Sequence, residues 1–208
     1  MTIEAVVFDI GNVVVRWDVR ALYRTIFDDP AEMERFLADV WTPMENDRCD
    51  RGTPFAEVIA EMVARHPDDE LAIRAAWDRW IETIPGPVEG MLELIDELAE
   101  AGIPLFALSN FSAETFPLVQ RRYPHFERFD RILISGEHSP LAKPDAAFFR
   151  LLCEQTGFVP EQMVFIDDAA ANVSAAAALG FTAVLFTDTT TLRRELDSLG
   201  VLSDDRTP

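Results

Sequence analysis

The chain alternates short apolar runs with longer stretches of helical periodicity. Ala5-Val6-Val7-Phe8, Ile103-Pro104-Leu105-Phe106-Ala107-Leu108, Arg131-Ile132-Leu133-Ile134, Met163-Val164-Phe165-Ile166 and Thr182-Ala183-Val184-Leu185-Phe186 are almost continuously apolar. Such runs read as strands covered on both faces, hence parallel. Each stops at polar residues: Asp9, Ser109-Asn110, Ser135-Gly136, Asp167-Asp168 and Thr187-Asp188. Val88, Met91, Leu92, Ile95 and Leu98 form a stripe at helical spacing that Gly102 terminates. Further helices are predicted over 146–156 before Gly157, over 172–179 before Gly180, and over 190–199 before Gly200. This alternation from residue 88 onward predicts a doubly wound α/β parallel sheet.

Residues 18–87 break the rhythm, with no strand pattern but several helix starts. Asp29-Pro30 and Thr53-Pro54 each place a capping side chain before a proline at the first helical position. Asp68-Asp69-Glu70 puts negative charge where it complements the dipole of a helix over 71–84. The expected organisation is a core of residues 1–17 and 88–208, with 18–87 inserted as a helical cap over the strand ends. Pro85-Gly86-Pro87 marks the return to the core. The tail, residues 203–208, is expected to fray.

Half of the 208 residues are hydrophobic, enough for a real core. No apolar run reaches membrane-spanning length, and the first residues lack the pattern of a signal peptide. Cys49 and Cys153 are far apart and without metal-like spacing, so two free thiols and a cytoplasmic location are expected. The net charge of -19 disfavours nucleic acid and anionic membranes as partners. It also requires a local cation or a metal wherever an anionic substrate binds.

The chemistry gathers at the strand ends. In a doubly wound sheet, Asp9, Ser109-Asn110, Lys143 and Asp167-Asp168 converge on the crevice at the carboxyl edge. Adjacent carboxylates there are costly unless paired or metal-bound. Oxygen ligands of this kind suit Mg2+, which shares a phosphate oxygen. A lysine supplies charge for phosphate and nucleophile alike.

Phe8-Asp9-Ile10-Gly11-Asn12-Val13, Leu108-Ser109-Asn110, Lys143-Pro144 and Phe165-Ile166-Asp167-Asp168 with Asn172 resemble, in order, the four motifs of the haloacid dehalogenase-like (HAD) hydrolase superfamily. The resemblance spans essentially the whole chain. The helical insertion falls where that superfamily places a C1-type cap on its Rossmann-like core. Within it, the motifs are most similar to small sugar-phosphate phosphatases of the alpha-glucose-1-phosphatase kind. The phosphatase-like domain of some epoxide hydrolases is a near neighbour. The resemblance implies that Asp9 attacks phosphorus to give an aspartyl-phosphate. It implies Mg2+ held by Asp9, the Gly11 carbonyl and Asp168, with Asp167 and Asn172 orienting those ligands. Ser109 and the Asn110 amide are then expected to hold the phosphoryl oxygens, and Lys143 to neutralise charge.

Position 11 departs from the pattern. Most phosphatases of the superfamily have an aspartate there that protonates the leaving oxygen and later activates water. Glycine does neither. Asp18 or a cap residue is the expected substitute, and a sugar 1-phosphate, whose anomeric oxygen leaves readily, is the expected substrate class. Two alternatives stand beside a Mg2+-dependent phosphomonoesterase. One is a 2-haloacid dehalogenase, which uses an aspartate on carbon without metal or acid and tolerates Gly11. The other is a catalytically silent binding protein. The pair Asp167-Asp168 favours a metal site and hence the phosphatase, as a monomer or homodimer.

Other residues read as ordinary structure: His66, His125 and His138 lack ligand spacing, although His138 falls near the site. Trp41, Trp77 and Trp80 read as cap core, with one of them a candidate pocket wall. Arg16, Trp17, Arg48 and Arg51 are weaker candidates for substrate contact.

Overall fold

The computed structural model of the protein describes residues 2–202; the tail expected to fray lies outside them. Five parallel strands form one sheet: β1 (Ala5–Phe8), β2 (Leu105–Ser109), β3 (Arg131–Ile134), β4 (Met163–Asp167) and β5 (Thr182–Leu185). Their order is β3-β2-β1-β4-β5. The chain therefore winds outward from β1 in both directions. The switch point, where ligands bind in such sheets, lies between the ends of β1 and its neighbours β2 and β4.

Side-chain alternation splits the strands between two apolar layers. Val6, Phe8, Leu105, Ala107, Val164 and Ile166 face one layer, and Ala5, Val7, Phe106, Leu108, Met163 and Phe165 face the other. The first is covered by α6 (Met91–Glu100), α7 (Phe116–Arg122) and α10 (Thr189–Ser198), through Leu94, Leu98, Val119 and Leu192. The second is covered by α8 (Ala146–Thr156) and α9 (Ala170–Ala178), through Phe149, Leu152 and Ala176. The α/β reading of the sequence is thus the observed fold. Gly157, where α8 stops, has a φ of 78°, a conformation that glycine adopts without a Cβ penalty.

Between β1 and β2 the described residues are helical: α1 (Val19–Tyr23), α2 (Pro30–Asp39), α3 (Pro43–Asp50), α4 (Phe55–Arg65) and α5 (Glu70–Asp78). Tyr23, Phe36, Phe55, Met62 and Ile73 pack these helices into the same apolar cluster as the first face of the sheet. The two linkers run side by side, Val88 N–H donating to the Val14 carbonyl, Arg16 N–H to Gly86 and Asp18 N–H to Thr83.

The insertion departs from the sequence expectations in two details. Asp29 caps α2 as anticipated, accepting from Ala31 N–H. Pro54, however, is extended, so α4 begins at Phe55, whose N–H is capped by the Glu114 carboxylate from the β2–α7 loop. The helix expected over 71–84 stops at Asp78, because Arg79 leaves helical geometry and Trp80 turns inward against Phe111. Helix α3 carries a full capping box, in which Thr42 and Glu45 satisfy each other's end of the helix.

Candidate active site

Three strand ends deliver the polar groups. Asp9 follows β1, and its Oδ1 accepts from the Ile10 N–H at 2.7 Å and from the Ser109 hydroxyl at 2.6 Å. Lys143, on the loop between β3 and α8, places Nζ 2.8 Å from Asp9 Oδ1 and 2.6 Å from Asp167 Oδ2. Asp167, the last residue of β4, is fully buried. It also accepts from the Ala169 N–H and from Asn172 Nδ2, which approaches both of its oxygens at 3.0 Å. Asn110 and Lys143 are tied reciprocally: Asn110 Nδ2 donates to the Lys143 carbonyl, and Lys143 N–H donates to Asn110 Oδ1. The second motif therefore fixes the loop that carries the third.

Lys143 is the only lysine in the chain; every other cationic side chain apart from histidine is arginine. Its side chain is 1% exposed. A compact ammonium with three donors can bridge two carboxylates in this space, where a planar guanidinium needs a wider site.

One cation does not balance this cluster. Carboxylate oxygens of Asp9, Asp167 and Asp168 all lie within 4.8 Å of one another. Burial, and next the Asp9 charge, push Asp167 up to about 6 despite Lys143 pulling the other way. The same two causes, in the same order, raise Asp168, which a hydrogen bond from Asn12 partly offsets. Three carboxylates against one ammonium leave an excess that a divalent cation would neutralise, and an all-oxygen donor set suits a hard ion. With Asp167 occupied by Lys143 and Asn172, the groups left for such an ion are Asp9, Asp168 and the adjacent turn at Gly11.

That turn is held by Asn12, the one non-glycine with a positive φ (57°) among the described residues. Asparagine tolerates the left-handed region better than most residues. Its Oδ1 accepts from the Trp17 N–H, and its amide reaches Asp168. It thereby couples the exit of the β1 turn to the β4 carboxylate. Gly11 itself needs no unusual conformation, and a Cβ there would meet nothing within 4 Å.

A cavity of about 210 Å³ opens above these groups. Its floor is Asp9, Ser109, Asn110, Lys143 and Asp168, and its walls include Trp17, Trp80, Phe111, Asn46 and Asp50. The last two come from α3. Asp50 is half-buried. Its carboxylate accepts from Asn46 Nδ2 at 2.8 Å and from the Ser112 N–H. Its backbone carbonyl accepts from the Ser135 hydroxyl.

The strand-end residues singled out from sequence, Asp9, Gly11, Ser109, Asn110, Lys143, Asp168 and Asn172, all line this cavity, with Asp167 behind them. Asp18 does not join them: it caps α1 by accepting from Arg20 N–H and pairs with Arg24. Arg48 and Arg51 pair with Glu61 and Asp47, and His138 packs near Phe148. Asn12, Asn46, Asp50 and Phe111 escaped the sequence reading as site residues. The Thr42-Pro43-x-Glu45 capping signature could have located α3, though not the face it presents. Cys49 and Cys153 are both free, and burial pushes the Cys49 thiol up to about 12. Among the described residues no helix is long and apolar enough to cross a membrane.

The chain is similar to several known proteins over most of its length. The chain is 24% identical over 95% of its length to a sesquiterpene phosphatase of Aspergillus oryzae, 97% of which is covered. It is also 24% identical, over 95% of its length, to a drimenol cyclase of Aspergillus calidoustus, but spans only 36% of that longer protein. A HAD family enzyme of Bacteroides thetaiotaomicron, solved with magnesium and inorganic phosphate, superposes with a TM-score of 0.69 at 20% identity, covering 91% of this chain and 98% of that one. At that identity the likeness establishes the fold. The family model for haloacid dehalogenase-like hydrolases matches residues 3–180, and the chain belongs to that family of hydrolases.

Proposed function

We propose that the protein is a Mg2+-dependent phosphomonoester hydrolase that acts on a small phosphorylated metabolite, with a sugar phosphate as the substrate class. The carrying observation is the single lysine, clamped between Asp9 and Asp167 beside a carboxylate cluster it does not neutralise. Phosphoryl transfer chiefly needs positioning and charge neutralisation. Asp9 attacks phosphorus, the ester oxygen departs, and water then cleaves the aspartyl-phosphate. Ser109 releases Asp9 and turns its hydroxyl, with the Asn110 N–H, to the phosphoryl oxygens. Lys143 pairs with Asp9 at 2.8 Å and faces the incoming charge. Asp9, the Gly11 carbonyl and Asp168 are the residues that would hold the ion, oriented by Asp167 and Asn172. When bound, Mg2+ offsets the negative charge of the phosphoryl group.

Three features support a small substrate held under a cap formed by residues 18–87. The cavity of about 210 Å³ falls below the ~300 Å³ at which pockets for drug-sized ligands begin. Trp17, Trp80 and Phe111 offer aromatic faces to a sugar ring, and Asn46 and Asp50 offer polar groups to its hydroxyls. The relative from Aspergillus oryzae is itself called a phosphatase.

The test is phosphate release from a panel of sugar and alkyl phosphates with and without Mg2+, run beside halide release from 2-chloropropionate. Metal-dependent phosphate release that disappears in Asp9→Asn is expected. Halide release without metal would replace this reading with a dehalogenase.

A further inference from the structure

Gly11 supplies no carboxyl from the turn that follows the nucleophile, and the acid that protonates the leaving oxygen must come from elsewhere in the cavity. Among the residues lining it, Asp9 is the nucleophile, Asp168 lies in the metal cluster and Lys143 is locked between two carboxylates. The carboxyl group that remains is Asp50, on the opposite wall. We infer that Asp50 is the general acid and base of the reaction, delivered from the insertion to the leaving oxygen. This inference rests on the phosphatase reading above.

The surroundings of Asp50 fit the role. Its side chain is fixed by Asn46 and the Ser112 N–H, and its carbonyl by Ser135. The end of α3 is therefore pinned to the two core loops that follow β2 and β3. Ser135 also accepts from the Phe111 N–H, which joins Asp50 to the strand end that carries Ser109. A Cβ at Gly52, just past α3, would come within 3.1 Å of Ser139 Cβ on the same core loop. Glu114 caps α4 at Phe55 only a few residues further on. These contacts close the insertion over the site with Asp50 in register.

The protonation state also fits. Burial, and next Asp47, raise this carboxyl well above the ordinary range, with a smaller push from Asp9 across the cavity. The Ser112 N–H and Arg51 act in the opposite direction. The direction of this shift favours the protonated form that a general acid needs. In the first step the Asp9–phosphorus bond forms, the bond from phosphorus to the ester oxygen breaks, and the Asp50 proton passes to that oxygen. In the second step water attacks phosphorus and gives a proton to the Asp50 carboxylate. The Asp9–phosphorus bond breaks, and phosphate leaves. An activated leaving group, expected from Gly11 alone, is then no longer required.

The experiment compares ethyl phosphate with p-nitrophenyl phosphate, whose leaving group departs without a proton. Turnover of the nitrophenyl ester by the parent enzyme, abolished in Asp9→Asn, tests the hydrolase reading by itself. Asp50→Asn is then expected to lower kcat/KM, which reports the first step alone, by about 10²–10⁴-fold on ethyl phosphate and by less than about tenfold on the nitrophenyl ester, while the shared second step slows kcat on both. Equal losses of kcat/KM on both esters, or no loss on ethyl phosphate, would overturn the assignment. Because a Cβ at position 11 is unobstructed, Gly11→Asp in the Asp50→Asn background should restore ethyl phosphate turnover. Gly11→Asp alone should raise it by less than about tenfold; a gain near 10²-fold would mean that the parent lacks an acid, and would also overturn the assignment.

Discussion

Replacing Lys143 by methionine keeps most of the side-chain volume and removes the charge. Nζ lies 2.6 Å from Asp167 Oδ2 and 2.8 Å from Asp9 Oδ1. At an effective dielectric of about 20, a charge pair at the shorter distance is worth roughly 6 kcal/mol. Deleting one partner of a buried pair costs about 3–5 kcal/mol in measured cases. The carboxyl can escape part of that cost by taking up a proton. Asp167 titrates near 6 even with the lysine present, against an ordinary value of 3.8; without the lysine it titrates higher still. An acid raised in the folded state contributes stability below its unfolded pKa and loses it as pH rises through the folded one. In the parent that loss is complete just above pH 6, whereas in Lys143→Met it continues upward at about 1.4 kcal/mol per pH unit. Urea unfolding of the metal-free proteins should therefore show similar stabilities at pH 5.5 and a deficit of about 3 kcal/mol at pH 8. The double variant Lys143→Met/Asp167→Asn should recover most of the deficit, since an apolar or neutral pair carries no unmatched charge. A deficit that is the same at both pH values, or absent at pH 8, would refute the argument.

Three further outcomes are expected. Mg2+ should raise the Tm of the parent and not that of Asp168→Asn, which scanning calorimetry in chelator and in excess metal would check. Asn12→Gly keeps the turn but loses the amide that reaches Asp168, so its activity should need about 10–100-fold more Mg2+ with little change in Tm. Gly136→Ala would set a Cβ 2.8 Å from the Phe111 carbonyl oxygen, and equilibrium unfolding should show a loss of about 1–3 kcal/mol.

The core was legible because parallel strands buried on both faces leave near-continuous apolar runs. Ala5–Phe8 and Arg131–Ile134 appear as read, and the other three strands differ by a residue or two at their ends. Strand ends were legible as chemistry for the same reason: Asp9, Ser109 and Asp167 mark where the apolar runs stop. The far wall of the cavity was not. Helix α3, Pro-Met-Glu-Asn-Asp-Arg-Cys-Asp, buries chiefly Glu45 and Cys49 and has almost no apolar stripe. Its placement depends on Ser135, Ser112 and Gly52, which belong to contacts distant in sequence. The start of α4 was misjudged for a related reason. The carboxylate that caps Phe55 is Glu114, 59 residues away. Asp18 looked available as an acid because only the fold reveals that it serves helix α1.

The single lysine has a consequence for how motion of the insertion can be followed. Every surface cation on the described residues is arginine or histidine, so reagents that acylate amines find no exposed ε-amino target there. Apart from the chain terminus, the one primary amine lies beneath the insertion, clamped between two acids. Acylation at Lys143 therefore proceeds only through conformations in which the cavity opens and the clamp loosens. Its rate is a clock for those openings, built into the chain without any added probe, and a ligand that holds the insertion shut should slow it.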